Sequence, residues 1–332
     1  MILSKRLVPA DKSAKLSFMK RNKPEATLIY PVFIPMQGCP MHCIYCDQYQ
    51  ITGEAEQGRA DVAGAREFLL RNKGRKRQVA FYGGSFTALS QEQRERLIQP
   101  LWEALDGHCS LRISTHPLYI DEDILRWCKD WRISTIELGI QDFSDEVLAA
   151  VGRGYSCRDA KQAALMVKEQ GFELGIQLMP GLPGWTRESI RHNHTVVRAI
   201  KPHLLRIYPC IVIKGTPLER MWQEGRYQAL ELEEALAQSA DWQQLCHQEG
   251  IRLIKLGIPS NLAPSEIAAG PWHPAFGQLV QAELLVRTLQ RQYSPGSTIL
   301  LDKNSWNLIV AHKGFYHKIL MNRMPGCILV RQ

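Results

Sequence analysis

The sequence has no apolar run near the about 18 residues that a bilayer-spanning helix needs. Its first residues, MILSKRLVPADKSAK, lack an apolar stretch of signal-peptide length. No internal repeat and no low-complexity segment interrupts it. Its nine cysteines are an odd number and mostly isolated, which excludes the paired framework of a small secreted protein. These absences lead us to expect a reducing, cytoplasmic location, where clustered cysteines bind metal or act in catalysis. A chain of 332 residues can bury a large core without disulfide staples.

Charge is the next uneven feature. Residues 1–24 carry seven Lys/Arg against one Asp, and so do residues 284–332, a net of +6 at each end. The middle of the chain is net −4 within a total of +8. Two basic ends around an acidic middle are either solvated tails or contacts for a polyanion, with RNA or tRNA the first candidate.

From about residue 28, short β-rich runs alternate with amphipathic stretches. The strand candidates are 27–35, 78–83, 111–115, 134–140, 172–179 and 204–213, with 251–258 as a further one. Helical spacing marks 60–72, 91–105, 121–130, 156–171, 186–200 and 232–250, with Thr186 as an N-cap and Gly171 as a C-terminal stop. Strict alternation predicts an α/β fold with parallel strands and right-handed crossovers. Six units fit a partial (β/α)6 TIM-like barrel, with a doubly wound open sheet as the alternative. We expect a basic N-terminal extension over 1–27, the barrel over 28–260 and a C-terminal extension over 261–332. In parallel barrels the chemistry lies on loops at the C-terminal ends of strands. Each motif below falls at such an end.

The most specific motif is GCPMHCIYCDQ, residues 38–48, directly after the first strand. Cys39, Cys43 and Cys46 could help form a zinc site, but structural zinc needs four ligands. His42 lies between two of them and is poorly placed as the fourth. Cys109, Cys128, Cys157, Cys210, Cys246 and Cys327 are isolated and read as buried, inert thiols. The other candidate is an iron–sulfur cluster, which thiolates also hold. A cubane held by three cysteines leaves one iron open to a chelating molecule.

The loop resembles the signature of radical S-adenosylmethionine (SAM) enzymes. That resemblance implies a 4Fe-4S cluster on Cys39, Cys43 and Cys46, with SAM chelated by the open iron. It also implies one-electron cleavage of SAM to a 5′-deoxyadenosyl radical, which takes a hydrogen atom from substrate. Tyr45 matches the aromatic usual beside the last cysteine. Gly83, Gly84 and Ser85, at the end of the second strand, resemble the glycine motif for the methionine amino group. Ser114, Gln141, Arg153 and Gln177, at or after later strand ends, match positions near the SAM ribose or carboxylate. Read singly, each is an ordinary polar residue; together they favour a pocket.

Within that superfamily, residues 28–280 resemble the radical SAM part of the Elongator catalytic subunit and its short bacterial relatives. The strings IPMQGCPMHCIYCDQYQITG, IELGIQDFSDEVLAAVGRGYS, GIQLMPGLPG, LRIYPCIVIKGTPLERMWQEGRY and AAGPWHPAFGQLV carry this resemblance. It implies modification of tRNA and an electron donor such as flavodoxin or ferredoxin. Three departures stand against a full transfer. The gap between the first two cysteines is shorter here. About fifty residues after the last matching string are too few for an acetyl-CoA-binding domain. His116 and Leu118 stand where relatives often have Arg and Asp.

Two other readings remain at this stage. The coproporphyrinogen oxidase-like branch shares C-x3-C-x-Tyr-C and GIQDF, and includes haem-binding and haem-delivery proteins. His108, His116, His312 and His317 would be its candidate axial ligands. The other reading is an inert scaffold around a structural metal.

Overall fold

The computed structural model describes residues 27–39, 41, 43–53, 60–258 and 262–332. The basic segment 1–24 and His42 lie outside the described residues. The described chain falls into two compact units, residues 27–272 and residues 273–332.

The first unit is built on one parallel sheet. Its strands are β1 (Leu28–Phe33), β2 (Arg77–Tyr82), β3 (Cys109–Thr115), β4 (Ile133–Gln141), β5 (Glu173–Leu178), β6 (Leu204–Ile207) and β8 (Arg252–Leu256). They lie in the order β1-β2-β3-β4-β5-β6-β8, and every neighbouring pair is parallel. A doubly wound sheet reverses its strand order at a switch point. This order never reverses, so the sheet curls one way as a half-barrel. The sheet has seven strands, because 252–256 joins beyond the expected six.

The expected strand 204–213 divides. Pro209 has no N–H to give a ladder, so the chain leaves the sheet after Ile207. Cys210 N–H donates instead to the Pro180 carbonyl at 2.8 Å. The chain then forms β7 (Val212–Ile213), antiparallel to β9 (Ile267–Ala269).

Helices follow the strands: α1 (Gln48–Thr52), α2 (Val62–Arg71), α3 (Gln91–Ile98), α4 (Glu122–Asp130), α5 (Asp145–Ala150), α6 (Cys157–Glu169), α7 (Arg187–Ile200), α8 (Pro217–Gln223) and α9 (Leu232–Glu249). The expected helix 91–105 tightens into a 3-10 segment at Gln99–Ala104, where Pro100 interrupts the α pattern. Thr186 caps α7 in a capping box with Ser189, and Gly171 follows α6 with φ +83°.

Alternation along the strands sorts two environments. Ile136, Leu138 and Ile140 of β4 point into an apolar layer with Ile113, Leu174 and Ile176, against Leu69, Leu125, Ala164 and Val167 of the helices. The other face carries Thr135, Glu137, Gly139 and Gln141, with Arg112, Gln177 and Arg206 from neighbouring strands. That inner face is polar, and it lines the cavity described below.

The second unit comprises α10 (Phe276–Gln292), β10 (Thr298–Leu301), α11 (Lys303–Arg323) and β11 (Ile328–Arg331). β10 and β11 pair in parallel. α11 is broken at residues 311–314, where His312, Lys313 and Gly314 take left-handed backbone angles. The buried Glu283 binds Arg287 at 2.8 Å and Arg323 at 2.9 Å. Two of the seven basic residues in 284–332 are therefore held by a carboxylate within the unit.

Candidate functional site

A cavity of about 370 Å³ opens at the C-terminal ends of the strands in the first unit. Cys39, Cys43, Cys46, Gly83, Gly84, Ser85, Ser114, Gln141, Arg153 and Gln177 all line it. The fold thus brings every site residue expected from the sequence to one place.

The cysteine loop leaves β1 and is fastened by backbone. Ile34 N–H donates to Tyr82 O at 2.8 Å, Met36 N–H to Gly83 O at 2.9 Å, and Ser85 N–H to Gln37 O at 2.9 Å. The approach is close enough to demand glycine. A Cβ on Gly84 would meet Gln37 O at 2.3 Å and Ile34 O at 2.6 Å. Gly38 has φ +70°, and a Cβ there would meet Ser85 O at 2.3 Å. Tyr45 is buried among Val147, Val151, Leu182 and Leu218, which anchors the loop between Cys43 and Cys46.

All three thiols are half-buried and face the cavity. Arg153 Nη1 donates to Cys43 Sγ at 3.2 Å, and Gln48 Nε2 donates to Cys46 Sγ at 3.3 Å. Burial, then the neighbouring Cys43, raises the Cys39 thiol and pushes the Cys46 thiol up to about 12. A thiolate at either position needs a positive partner, which iron would supply. Among the described residues, no His, Cys, Asp or Glu side chains gather as the ligand set of a single metal ion. A structural zinc requires such a convergent set. A cubane takes one thiolate per iron, so its ligands are spread around a loop. The donor set fits the cluster.

The other expected residues divide by what their side chains do. The Ser85 hydroxyl is buried against Thr115 Oγ1 at 3.2 Å and accepts His116 N–H, so it ties β2 to β3. Gln141 holds φ +72° at the end of β4 and accepts from Gln177 Nε2 at 3.1 Å. A non-glycine residue in this backbone region beside a cavity marks a constrained site. Each nitrogen of Arg153 makes one contact, Nε with the Tyr155 hydroxyl at 3.2 Å, Nη1 with Cys43 and Nη2 with the Gly139 carbonyl, and each Nη keeps a second N–H. Ser114 is half-buried at the rim of β3.

His116 is buried beside Tyr155, and its Nδ1 accepts Leu118 N–H at 3.3 Å. Burial, then the Arg153 charge, holds it down to about 3, so the ring is neutral. Leu118 is exposed.

The cavity also contains groups that the sequence reading passed over. Glu137 is buried and accepts from Arg112 Nη1 at 2.8 Å, Arg206 Nε at 2.5 Å and Tyr82 Oη at 3.4 Å. Arg206 Nη2 donates to Tyr82 Oη at 2.8 Å. Lys255 lines the same wall. A signal for them exists in the sequence: each is a charge at an inward position of an otherwise apolar strand, in LRIST, IELGI, LLRI and RLIKL. A carboxylate on β4 has room because β5 places Gly175 opposite it. A Cβ there would meet Glu137 Cγ at 2.7 Å.

Two family models match this chain. Residues 33–194 match the radical SAM superfamily, and residues 202–285 match the radical SAM C-terminal domain. The chain is 32% identical over 145 residues to a tRNA uridine(34) acetyltransferase of Methanocaldococcus infernus, covering 42% of this chain and 27% of that protein. It is 25% identical over 228 residues to one of Dehalococcoides mccartyi, covering 57% and 50%. It is 29% identical to mouse Elongator complex protein 3 over 169 residues, covering 44% and 31%. The chain therefore spans between about a quarter and a half of these relatives' length. Among solved structures, Methanocaldococcus infernus Elp3 with an N-terminal deletion aligns over 80% of this chain and 63% of that one. Its TM-score is 0.60 at 21% identity, a likeness of fold. With the cysteine loop, the glycine turn and the half-barrel described above, these matches show that the chain belongs to the radical SAM superfamily.

Proposed function

We propose that Cys39, Cys43 and Cys46 hold the cluster, that the remaining expected residues bind SAM, and that the substrate is RNA or a nucleotide-like molecule. Members of this family are enzymes that use a 4Fe-4S cluster and SAM. When bound, that pair supplies a one-electron reduction of SAM and a carbon radical able to take hydrogen from substrate. The protein's own part is positioning. The Gly83–Gly84 turn brings backbone against the cysteine loop, and Arg153 fixes Cys43 to the end of β4. Gln141 and Gln177 present amide groups at strand ends, suited to hydroxyls or a carboxylate. The apolar lining by Tyr45, Met179, Ile211 and Ile213 limits water around a reactive species.

The single observation that carries the reading is the convergence of the three thiols and all seven expected SAM contacts on one cavity. The RNA part rests on the named activities of the relatives and on the basic ends of the chain. A cytoplasmic location and a small electron-transfer partner fit the same reading. Among the described residues, no helix is long and apolar enough to cross a membrane.

The test is anaerobic incubation with SAM and dithionite, followed by chromatography for 5′-deoxyadenosine. Wild type should form it and should contain four irons per chain. Cys39→Ala, Cys43→Ala and Cys46→Ala should each abolish it. Product in any one of these variants removes that cysteine from the ligand set. For the RNA part, tRNA binding should weaken steeply with salt. Salt-independent binding sinks it.

A further inference from the structure

Lys255 and Arg206 are opposite one another on neighbouring strands β8 and β6, and Arg206 is opposite Gln177 of β5. Residues paired in this way face the same side of a sheet. All three line the cavity. Like charges directly opposite across strands destabilise a sheet, so this pairing needs a reason.

The carboxylate nearby does not supply it. Glu137 is the one acidic residue on the cavity wall among the described residues. It already accepts from Arg112 and twice from Arg206, at 2.5 and 3.2 Å. Glu137 is thus already shared by two guanidiniums, and Glu173, the other carboxylate near Arg112 at 4.0 Å, does not line the cavity. Among the described residues, no carboxylate pairs with Lys255. Burial, then the Arg206 charge, holds the Lys255 ammonium below its ordinary pKa. Arg153, the other cation of the wall, is held by Tyr155, Cys43 and the Gly139 carbonyl. Lys255 is the cavity cation whose side chain has no hydrogen bond or ion pair among the described residues.

Its strand lies away from the cysteine loop, while Arg206 beside it is opposite Gln177 and donates to Tyr82 at 2.8 Å. The cysteine loop and the glycine turn follow β1 and β2, at one edge of the sheet, whereas Lys255 is on β8 at the other. A ligand filling the cavity would meet the three sulfurs, the glycine turn and Gln177, and next to Gln177 it would meet Arg206, Lys255 and the phenol of Tyr208.

We infer that Lys255, beside Arg206, forms an anion subsite that takes a phosphate of the substrate, so that the substrate is a phosphorylated nucleoside or a phosphodiester of RNA. This deepens the nucleotide reading above and rests on it. A point-charge ammonium suits phosphate without fixing its orientation. The cost of the unpaired cation in the empty sheet is offset when the anion binds.

The test is calorimetric titration of the full, anaerobically reconstituted protein with uridine, uridine 5′-monophosphate and a five-residue uridine oligonucleotide. The titrations are run with S-adenosylhomocysteine present. A phosphorylated probe should bind wild type more tightly than uridine does. Lys255→Met should weaken the phosphorylated probes about tenfold and leave uridine and SAM binding unchanged. Lys255→Arg should keep most of the affinity. Loss confined to the monophosphate assigns the site to a free nucleotide, and loss confined to the oligonucleotide assigns it to an RNA phosphodiester.

Equal affinities for phosphorylated and bare probes overturn the subsite, as does a Lys255→Met protein that binds them like wild type. So does an equal loss of SAM binding, since the anion would then be the SAM carboxylate. Ligand-free Lys255→Met should also melt about 1–2 °C higher than wild type. A lower melting temperature would give Lys255 a structural partner and overturn the proposal. Iron content and 5′-deoxyadenosine formation, measured on the same preparations, report on the cluster and SAM reading separately. Their loss in wild type sinks that reading and not this one.

Discussion

The two ends of the cavity are ordered by different means. At the cysteine end, backbone does the work: three hydrogen bonds join the loop to the glycine turn, and Gly38 and Gly84 allow the contact. At the other end, side chains do it: a single buried carboxylate gathers Arg112, Arg206 and Tyr82. A loop held by its backbone can present thiols whose identity matters little to the fold. A wall held by charges cannot lose one of them without leaving the others unpaired. Stability should therefore be sensitive at the charged end, and cofactor content at the sulfur end.

The largest effect is expected from Glu137→Gln. It removes the carboxylate that joins the buried Arg112 to the half-buried Arg206 while keeping the shape, and leaves Arg112 only the more distant Glu173 at 4.0 Å. Breaking a buried ion pair on one side costs about 3–5 kcal/mol. Urea unfolding at pH 7 of the cluster-free protein should show a loss of this size. A loss under about 1 kcal/mol would mean that water already compensates Arg112 and Arg206, and the contrast between the two ends would fail.

Next comes pH, through a carboxylate just behind the wall. Asp142 is buried beyond the end of β4, where its carboxylate accepts Ser144 N–H at 2.7 Å. Burial pushes it up to about 6 from an ordinary 3.8, against hydrogen bonds that lower it. The native state therefore holds this proton more tightly than the unfolded chain. The stabilisation is complete below about pH 4 and is lost as pH rises through about 6. A shift of this size corresponds to about 3 kcal/mol. Asp142→Asn keeps an oxygen acceptor and should flatten the stability profile between pH 4 and 7. A variant that keeps the wild-type slope would place the titration elsewhere.

Much of this was legible in the sequence, and the omissions have a physical pattern. The strand–helix alternation, the cysteine spacing, the paired glycines and the polar residues at strand ends are local signals, and all led to one cavity. The split of 204–213 was also written locally, in Pro209, but a continuous apolar run hides it. The network of Glu137, Arg112 and Arg206 was missed because its members are 25 and 69 residues apart. Only the strand register brings them together. Their one local trace, a charge at an inward position of an apolar strand, looks the same as a charge facing solvent until the sheet is known to curl. The contact of Ser85 with the next strand was hidden for a related reason. The residue's place in the glycine motif was visible, whereas its burial against Thr115 of the next strand was not.

A smaller effect should follow from Gly84→Ala. The added Cβ meets two carbonyl oxygens of backbone, which cannot swing away as a side chain could. Overpacking of this kind costs about 1–3 kcal/mol. The cysteine loop would have to shift, so iron content should fall together with the melting temperature. Unchanged iron at a lowered melting temperature would show that the loop tolerates displacement.

The smallest effect on stability, and the sharpest on the comparison, is expected from Cys43→Ser in the cluster-free protein. Cys43 is half-buried, and its sulfur accepts one hydrogen bond from Arg153. A serine hydroxyl can accept the same bond over a slightly longer gap. Arg153 also keeps the Gly139 carbonyl and the Tyr155 hydroxyl. The net change should stay below about 1 kcal/mol, the size of one ordinary hydrogen bond. Reconstituted iron should nevertheless drop to background, because the hydroxyl is a poor iron ligand beside two thiolates. Unfolding curves that overlay while iron disappears would set this end of the cavity apart from the Glu137 end. A loss comparable to that of Glu137→Gln would instead make the thiol part of the structural frame, with the loop depending on side chains as much as the charged wall does.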